Sequence, residues 1–150
     1  MRLTTFTDYS LRMCIYVAAS PEGRATIAEV AKAFDISESH LVKVAHLLGK
    51  EGILVNTRGR GGGLRLARAA GAITVGSVVR AAEGADVPAE CFSSQHNECV
   101  ISGICRLGGV LAQALGRFYE VLDRHTIADL VSNRKQLATV LQFHRHPEAV

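Results

Sequence analysis

Tryptophan is absent from the 150 residues, and the aromatic residues together make up only 5%. A sandwich or barrel core leans on aromatic and β-branched strands, so Leu, Val, Ile and Ala must supply the interior here, a composition suited to helix packing. The chain also lacks a long apolar run: no basic segment followed by an apolar stretch opens it, and Met13 to Ala19 is far too short to span a bilayer. The expectation is a cytoplasmic protein without a membrane partner, with thiols kept reduced. No Gly-x-x-x-x-Gly-Lys-Ser/Thr or Gly-x-Gly-x-x-Gly pattern accompanies the glycines, which argues against a nucleotide cradle. No Ser/His/Asp, Cys/His or paired-carboxylate arrangement stands out beyond chance spacing, so no enzymatic activity is expected.

What is present begins with a charge asymmetry. The net charge is only +3, yet residues 1 to 70 carry ten Lys and Arg against six Asp and Glu, while residues 71 to 150 carry seven against eight. The first half is the candidate for a polyanion. Thr5-Phe6-Thr7-Asp8 has the form of a capping box, and the run that follows to Ala19 is apolar nearly all round, which predicts a buried first helix. Thr26-Ile27-Ala28-Glu29 is a second capping box, opening a short helix that ends at the Asp35-Ile36-Ser37 turn. Ser37 offers the N-cap of a third helix that keeps Leu41, Val44, Ala45 and Leu48 on one face and stops at Gly52. Strand-like runs at 53 to 57 and 64 to 67 flank Arg58-Gly59-Arg60-Gly61-Gly62-Gly63, a glycine-rich hairpin, and Ser77 to Glu83 is helical again.

Two short helices joined by a tight turn and followed by a basic hairpin form a winged helix-turn-helix, in which the second helix enters the major groove. Ser37, Ser39, His40 and Lys43 sit at or near the start of that helix, Lys50 lies further along its wet side, and Arg58 and Arg60 mark the wing tip. Any one of these residues alone reads as ordinary solvated surface. Taken together, the spacing, the Gly/Arg wing and the charge asymmetry point to double-stranded DNA.

Residues 85 to 105 lose periodicity and carry Cys91, Cys99 and Cys105. Three thiols within fifteen positions of an irregular loop suit a metal centre, either zinc or an iron-sulfur cluster, and both want a fourth ligand. The absence of any Cys-x-x-Cys pair weighs against a zinc ribbon. His96, inside the loop, is one candidate fourth ligand, whereas His144 and His146 read as a solvated tail and Cys14 as an ordinary buried thiol. From Arg106 a stripe of Leu107, Leu111, Ala114, Phe118, Val121 and Leu122 offers more apolar surface than the first domain can cover, which favours pairing with a second copy. The expected protein is therefore mainly α: a winged helix-turn-helix over 1 to 84, a cysteine loop over 85 to 105, dimerisation helices over 106 to 131 and a tail over 132 to 150.

The opening Met1-Arg2-Leu3-Thr4-Thr5-Phe6-Thr7-Asp8-Tyr9, the segment Val55 to Leu66, the three cysteines and the stretch from Leu122-Asp123 to Leu130-Val131 together resemble the NsrR repressors, of the winged-helix family that also holds IscR and RirA. The resemblance spans about residues 1 to 131. It implies a homodimeric repressor of palindromic operator DNA that senses nitric oxide through an iron-sulfur cluster, 4Fe-4S ahead of 2Fe-2S, held by Cys91, Cys99 and Cys105. It also implies that Asp8 of the other subunit is the fourth ligand. Read from the residues alone, Asp8 is equally the acidic end of a capping box with Thr5 or an i,i+4 partner of Arg12. IscR-like members carry a histidine three residues after the third cysteine, where this chain has Gly108, and that favours Asp8. The alternatives are a regulator answering to iron, cluster status or thiol oxidation, a zinc-stabilised repressor, and an electron-transfer iron-sulfur protein.

Overall fold

The structure, a computed structural model, describes residues 2–84, 89, 92 and 98–143. Helix α1 (Thr5–Ala19) is the axis of the molecule. Met13, Cys14 and Val17 are completely buried on it, because α3 (Glu38–Lys50), α4 (Val75–Glu83) and the short α6 (Ile127–Leu130) all pack around its sides. Its N-cap is Thr4, one residue before the expected Thr5: Thr4 is extended and its hydroxyl accepts from the Thr7 backbone N–H. Asp8 does not close a capping box, because Arg12 one turn on takes its carboxylate at 2.8 Å.

Helix α2 (Ile27–Phe34) opens with the full Thr26/Glu29 capping box and ends on Asp35 in the left-handed region, with φ 54°. That residue makes the tight turn into α3. Leu41, Val44 and Leu48 of α3 are fully buried and Ala45 nearly so, the expected face. Removing each large apolar side chain of this kind from water stabilises by about 1.5–3 kcal/mol. Ser37 stands at the N-cap position of α3 but makes no side-chain capping bond.

After Gly52, β1 (Leu54–Thr57) and β2 (Gly63–Leu66) pair antiparallel with Leu54 opposite Leu66 and Thr57 opposite Gly63. Ala25 and Leu64 exchange backbone bonds of 3.0 and 2.7 Å, which attach the hairpin to the loop before α2. Helix α4 begins on the Thr74 cap, and backbone bonds from Val75 to His125 and from Ile127 to Ile73 bring the later helices back under it.

Helix α5 (Leu107–Asp123) leans on α4 through a two-pronged Arg80–Asp123 ion pair of 2.8 and 2.6 Å, with Arg80 also 4.3 Å over the Tyr119 ring. None of its residues is buried within this chain. Helix α7 (Arg134–Val140) forms inside the stretch read from sequence as a tail. Leu137 and Leu141, one helical turn apart, and Phe143 beyond the helix pack on the core, and Arg134 donates to the Ala18 carbonyl at 2.8 Å. Among the described residues no helix is long and apolar enough to cross a membrane.

Candidate nucleic-acid interface and cysteine site

The buried face of α3 decides which of its side chains reach out. With Leu41, Val44, Ala45 and Leu48 turned inward, Ser37, Ser39, His40, Lys43 and Lys50 are all exposed. The Ser37 and Ser39 hydroxyls lie 3.3 Å apart at the helix start. His40 also faces back onto α1, where its ring lies 6.3 Å from that of Tyr9. The first turn of α3 thus presents hydroxyls and a basic ring at a helix N-terminus, the end that meets base edges and phosphates in this motif.

Arg58 and Arg60 are exposed in the turn between β1 and β2. The wing is pinned at its base as well as paired along its length. Arg24 donates to the Gly62 carbonyl at 3.3 Å while pairing with Glu22 at 2.6 Å, and Arg65 donates to the Glu22 carbonyl at 3.2 Å. Sequence reasoning did not single out Arg24, since only the fold brings it against a glycine carbonyl 38 residues away.

The cysteines divide into two environments. Cys14 is fully buried and burial pushes its thiol up to about 12, so at neutral pH it is a small apolar core residue and no thiolate ligand. Cys99 and Cys105 are half-buried. They are wound into successive turns, with Ser102 N–H donating to the Cys99 carbonyl at 3.1 Å and Cys105 N–H to the Ile101 carbonyl at 2.8 Å. Cys105 stands just ahead of Arg106, the N-cap position of the seventeen-residue α5, where the helix dipole favours an anionic thiolate. Cys91 and His96 lie outside the described residues, as do His144 and His146.

Asp8 is half-exposed on the first turns of α1 and engaged with Arg12, whose guanidinium lies 5.7 Å from the centre of the Phe34 ring of α2. Among the described residues no three His, Cys, Asp or Glu side chains gather as a metal site within the chain. Asp8 is therefore not brought together with Cys99 and Cys105 in one subunit. The donor set still fits a sulfur-rich centre: thiols at the surface, and a carboxylate whose exposed ion pair holds it by no more than about 1 kcal/mol.

Sequence reasoning also passed over Glu83, whose Oε1 accepts bonds from Thr4 and Thr7 at the start of α1. Partners 76 and 79 residues distant leave no local signal.

Comparison with known proteins agrees with this geometry. A family model described as Rrf2, iron-dependent transcriptional regulator, matches residues 3–133. The HTH-type transcriptional regulator NsrR of Shouchella clausii is 42% identical over 144 residues, covering 95% of this chain and 97% of that protein. NsrR of Bacillus subtilis is 43% identical over 144 residues, covering 95% and 99%. Among solved structures, T. potens IscR superposes with a TM-score of 0.71 at 23% identity over 99% of this chain and 94% of the other. The oxidised form of Staphylococcus aureus CymR gives 0.70 at 22% over 88% and 97%. At such identities these two speak for the winged-helix fold alone.

Proposed function

The chain belongs to the Rrf2 family of DNA-binding transcriptional regulators, and from that premise we propose that it is a homodimeric repressor whose grip on a palindromic operator is set by an iron-sulfur cluster sensitive to nitric oxide. It is a regulator and not an enzyme, as its relatives are. The observation that carries the reading is the presentation of Cys99 and Cys105 at the surface ahead of α5, while Cys14, chemically the same group, is sealed in the core.

Cys91, Cys99 and Cys105 of one subunit and Asp8 of the other would hold the cluster. When bound, it supplies iron that nitric oxide attacks. A 4Fe-4S centre is the first choice and a 2Fe-2S centre the second. The chain's own residues do the rest. Asp8 is a hard oxygen ligand among soft sulfurs and is therefore the weakest of the four. Committing it to the partner subunit takes it from Arg12, the residue that spans α1 and the Phe34 ring of α2. Ligation at Asp8 thus reaches the helix-turn-helix through side chains already in contact with it. Ser37, Ser39, His40 and Lys43 would read and grip the major groove, Lys50 would add positive charge along the backbone, and Arg58 and Arg60 would hold the flanking groove or its phosphates. Release of Asp8 would return its carboxylate to Arg12, and a shift of α1 that followed would change the spacing of the two reading helices.

The test is an anaerobic visible spectrum with iron and sulfide counts, then titration with nitric oxide while binding to a palindromic duplex is followed at fixed salt. The expected outcome is brown protein that bleaches as it leaves DNA. Colourless, zinc-containing protein that binds DNA regardless would sink the cluster mechanism and leave the winged helix in place. Equal affinity of apo- and cluster-loaded protein would sink the control by the cluster.

A further inference from the structure

The first turn of α1 is held by a side chain from the far end of the winged domain. Glu83, the last residue of α4, places its Oε1 on Thr4 and Thr7. It accepts from the Thr4 backbone N–H at 2.8 Å, from the Thr4 hydroxyl at 3.1 Å and from the Thr7 hydroxyl. Thr7 is wholly buried. Desolvation raises the Glu83 pKa, but the bonds from Thr7 and Thr4 lower it further, and the group ends below its ordinary 4.5. It is therefore a carboxylate at neutral pH, well placed against the positive end of α1.

Capping alone does not require this arrangement, because the Thr4 hydroxyl already accepts from the Thr7 N–H at 3.2 Å. What Glu83 adds is a fixed relation between two places far apart in the chain. One is the turn that carries Asp8, the residue next to Thr7. The other is Gly84, with φ 64°, the root of the stretch that carries Cys91, Cys99 and Cys105. On the far side of Asp8, Tyr9 meets His40 at the start of the recognition helix. Of three consecutive residues, Thr7 thus meets Glu83, which precedes Gly84, Asp8 is the candidate ligand, and Tyr9 meets the start of α3.

Resting on the cluster reading above, we propose that Glu83 is a positioning residue that couples the Asp8-bearing start of α1 to the root of the cysteine loop. Each subunit then links the cluster its cysteines hold to the one its Asp8 reaches, and a shift of the loop root is carried to α1. Glu83 touches no cluster atom and acts through Thr4 and Thr7.

The experiment uses the full chain as wild type, Glu83→Ala, Glu83→Gln, Asp8→Ala and the Glu83→Ala/Asp8→Ala pair, each loaded anaerobically with iron and sulfide. Decay of the visible absorption is followed under a fixed concentration of an iron chelator, and thermal unfolding of each apoprotein reports the fold. Glu83→Ala is expected to load but to lose its cluster about tenfold faster, the low end of what outer partners of a metal site cost. Glu83→Gln, which keeps an oxygen acceptor, should recover part of that, and Glu83→Ala should add nothing in the Asp8→Ala background. Wild-type decay in Glu83→Ala, or effects that multiply in the pair, would overturn the coupling while leaving the cluster reading intact. A wild-type chain that takes up no iron and sulfide overturns the cluster reading itself. Should Glu83→Ala fail to fold, Thr7→Val, which deletes one donor at a buried site of similar volume, carries the same comparison: acceleration supports the coupling and wild-type decay overturns it.

Discussion

Two kinds of polar side chain on the exposed surface of the winged domain have different expected effects, and the difference lies in what each meets. Arg58 and Arg60 stand in a turn of glycines with their charge in water. A charge placed against phosphate acts by displacing counterions, and the contribution is blind to base sequence. Replacing either with Ala is expected to weaken binding to operator and to random duplex alike, and to reduce the slope of log affinity against log salt by about 0.9 for each phosphate that is no longer neutralised. His40 belongs to the other kind. It sits at the exposed start of a helix whose inner face is locked by Leu41, Val44 and Leu48, so on the proposed docking it would meet a base edge from a fixed position. His40→Ala should alter the preference among operator variants by about 1–3 kcal/mol at the base pair it meets, with little change in salt slope. Competition binding across single-base operator variants at several salt concentrations checks both. A sequence-blind loss for His40→Ala would move it to the phosphate class.

At the scale of elements, the wing depends on backbone that only glycine tolerates. Gly63 has φ 137°, and a Cβ there would lie 2.8 Å from the Ala25 carbonyl oxygen, the acceptor of the Leu64 N–H bond at 2.7 Å. Gly63→Ala therefore combines backbone strain with a clash against backbone that cannot rotate away. The expected cost is about 1–3 kcal/mol, read as a lowered thermal midpoint, with operator affinity falling as the arginines lose their anchored base. An unchanged midpoint would mean that the wing is not tied to the Ala25 segment. The hairpin and α3 are legible in the sequence because their signals are local: the glycines between two apolar runs, and Leu41, Val44, Ala45 and Leu48 on one helical face. The start of α1 is readable only to within a residue, since Thr4, Thr5 and Thr7 all offer caps and Thr4 takes the position once Arg12 claims Asp8. Helix α7 escapes a reading of the sequence because its helical signal is short, and the apolar side chains on it and just after it find their partners only on the core, as Phe143 beyond the helix does in edge-to-face contact with Tyr16, 4.9 Å between ring centres. The tie from Glu83 to Thr4 and Thr7 has no signal at all, as nothing near residue 83 announces a partner near residue 4.

For the molecule as a whole, the unfinished surface is α5. Leu107, Val110 and Val121 are each more than half exposed, at 57%, 60% and 53%, and Ile104 ahead of the helix is exposed at 86%. Within the chain, Arg80 ties α5 to α4 by pairing with Asp123 and covering Tyr119, and Leu111, Phe118 and Leu122 are half-buried, while Leu107, Val110 and Val121 stay bare. A second copy of the same helix would cover them and set two recognition helices apart by a fixed distance, which a palindrome of half-sites about one helical turn apart requires. Placing carboxylates on this exposed apolar surface, as in Val110→Glu with Val121→Glu, leaves the buried side chains of α1, α3 and α4 untouched, because neither residue contributes to that core. The double variant is expected to sediment as a monomer with the helical content of the wild type. It should bind an isolated half-site as the wild type does but lose the additional affinity that a palindrome gains from two linked reading heads. A double variant that still sediments as a dimer would mean that α5 is not the contact between copies, and that the spacing of the reading helices is fixed by another surface.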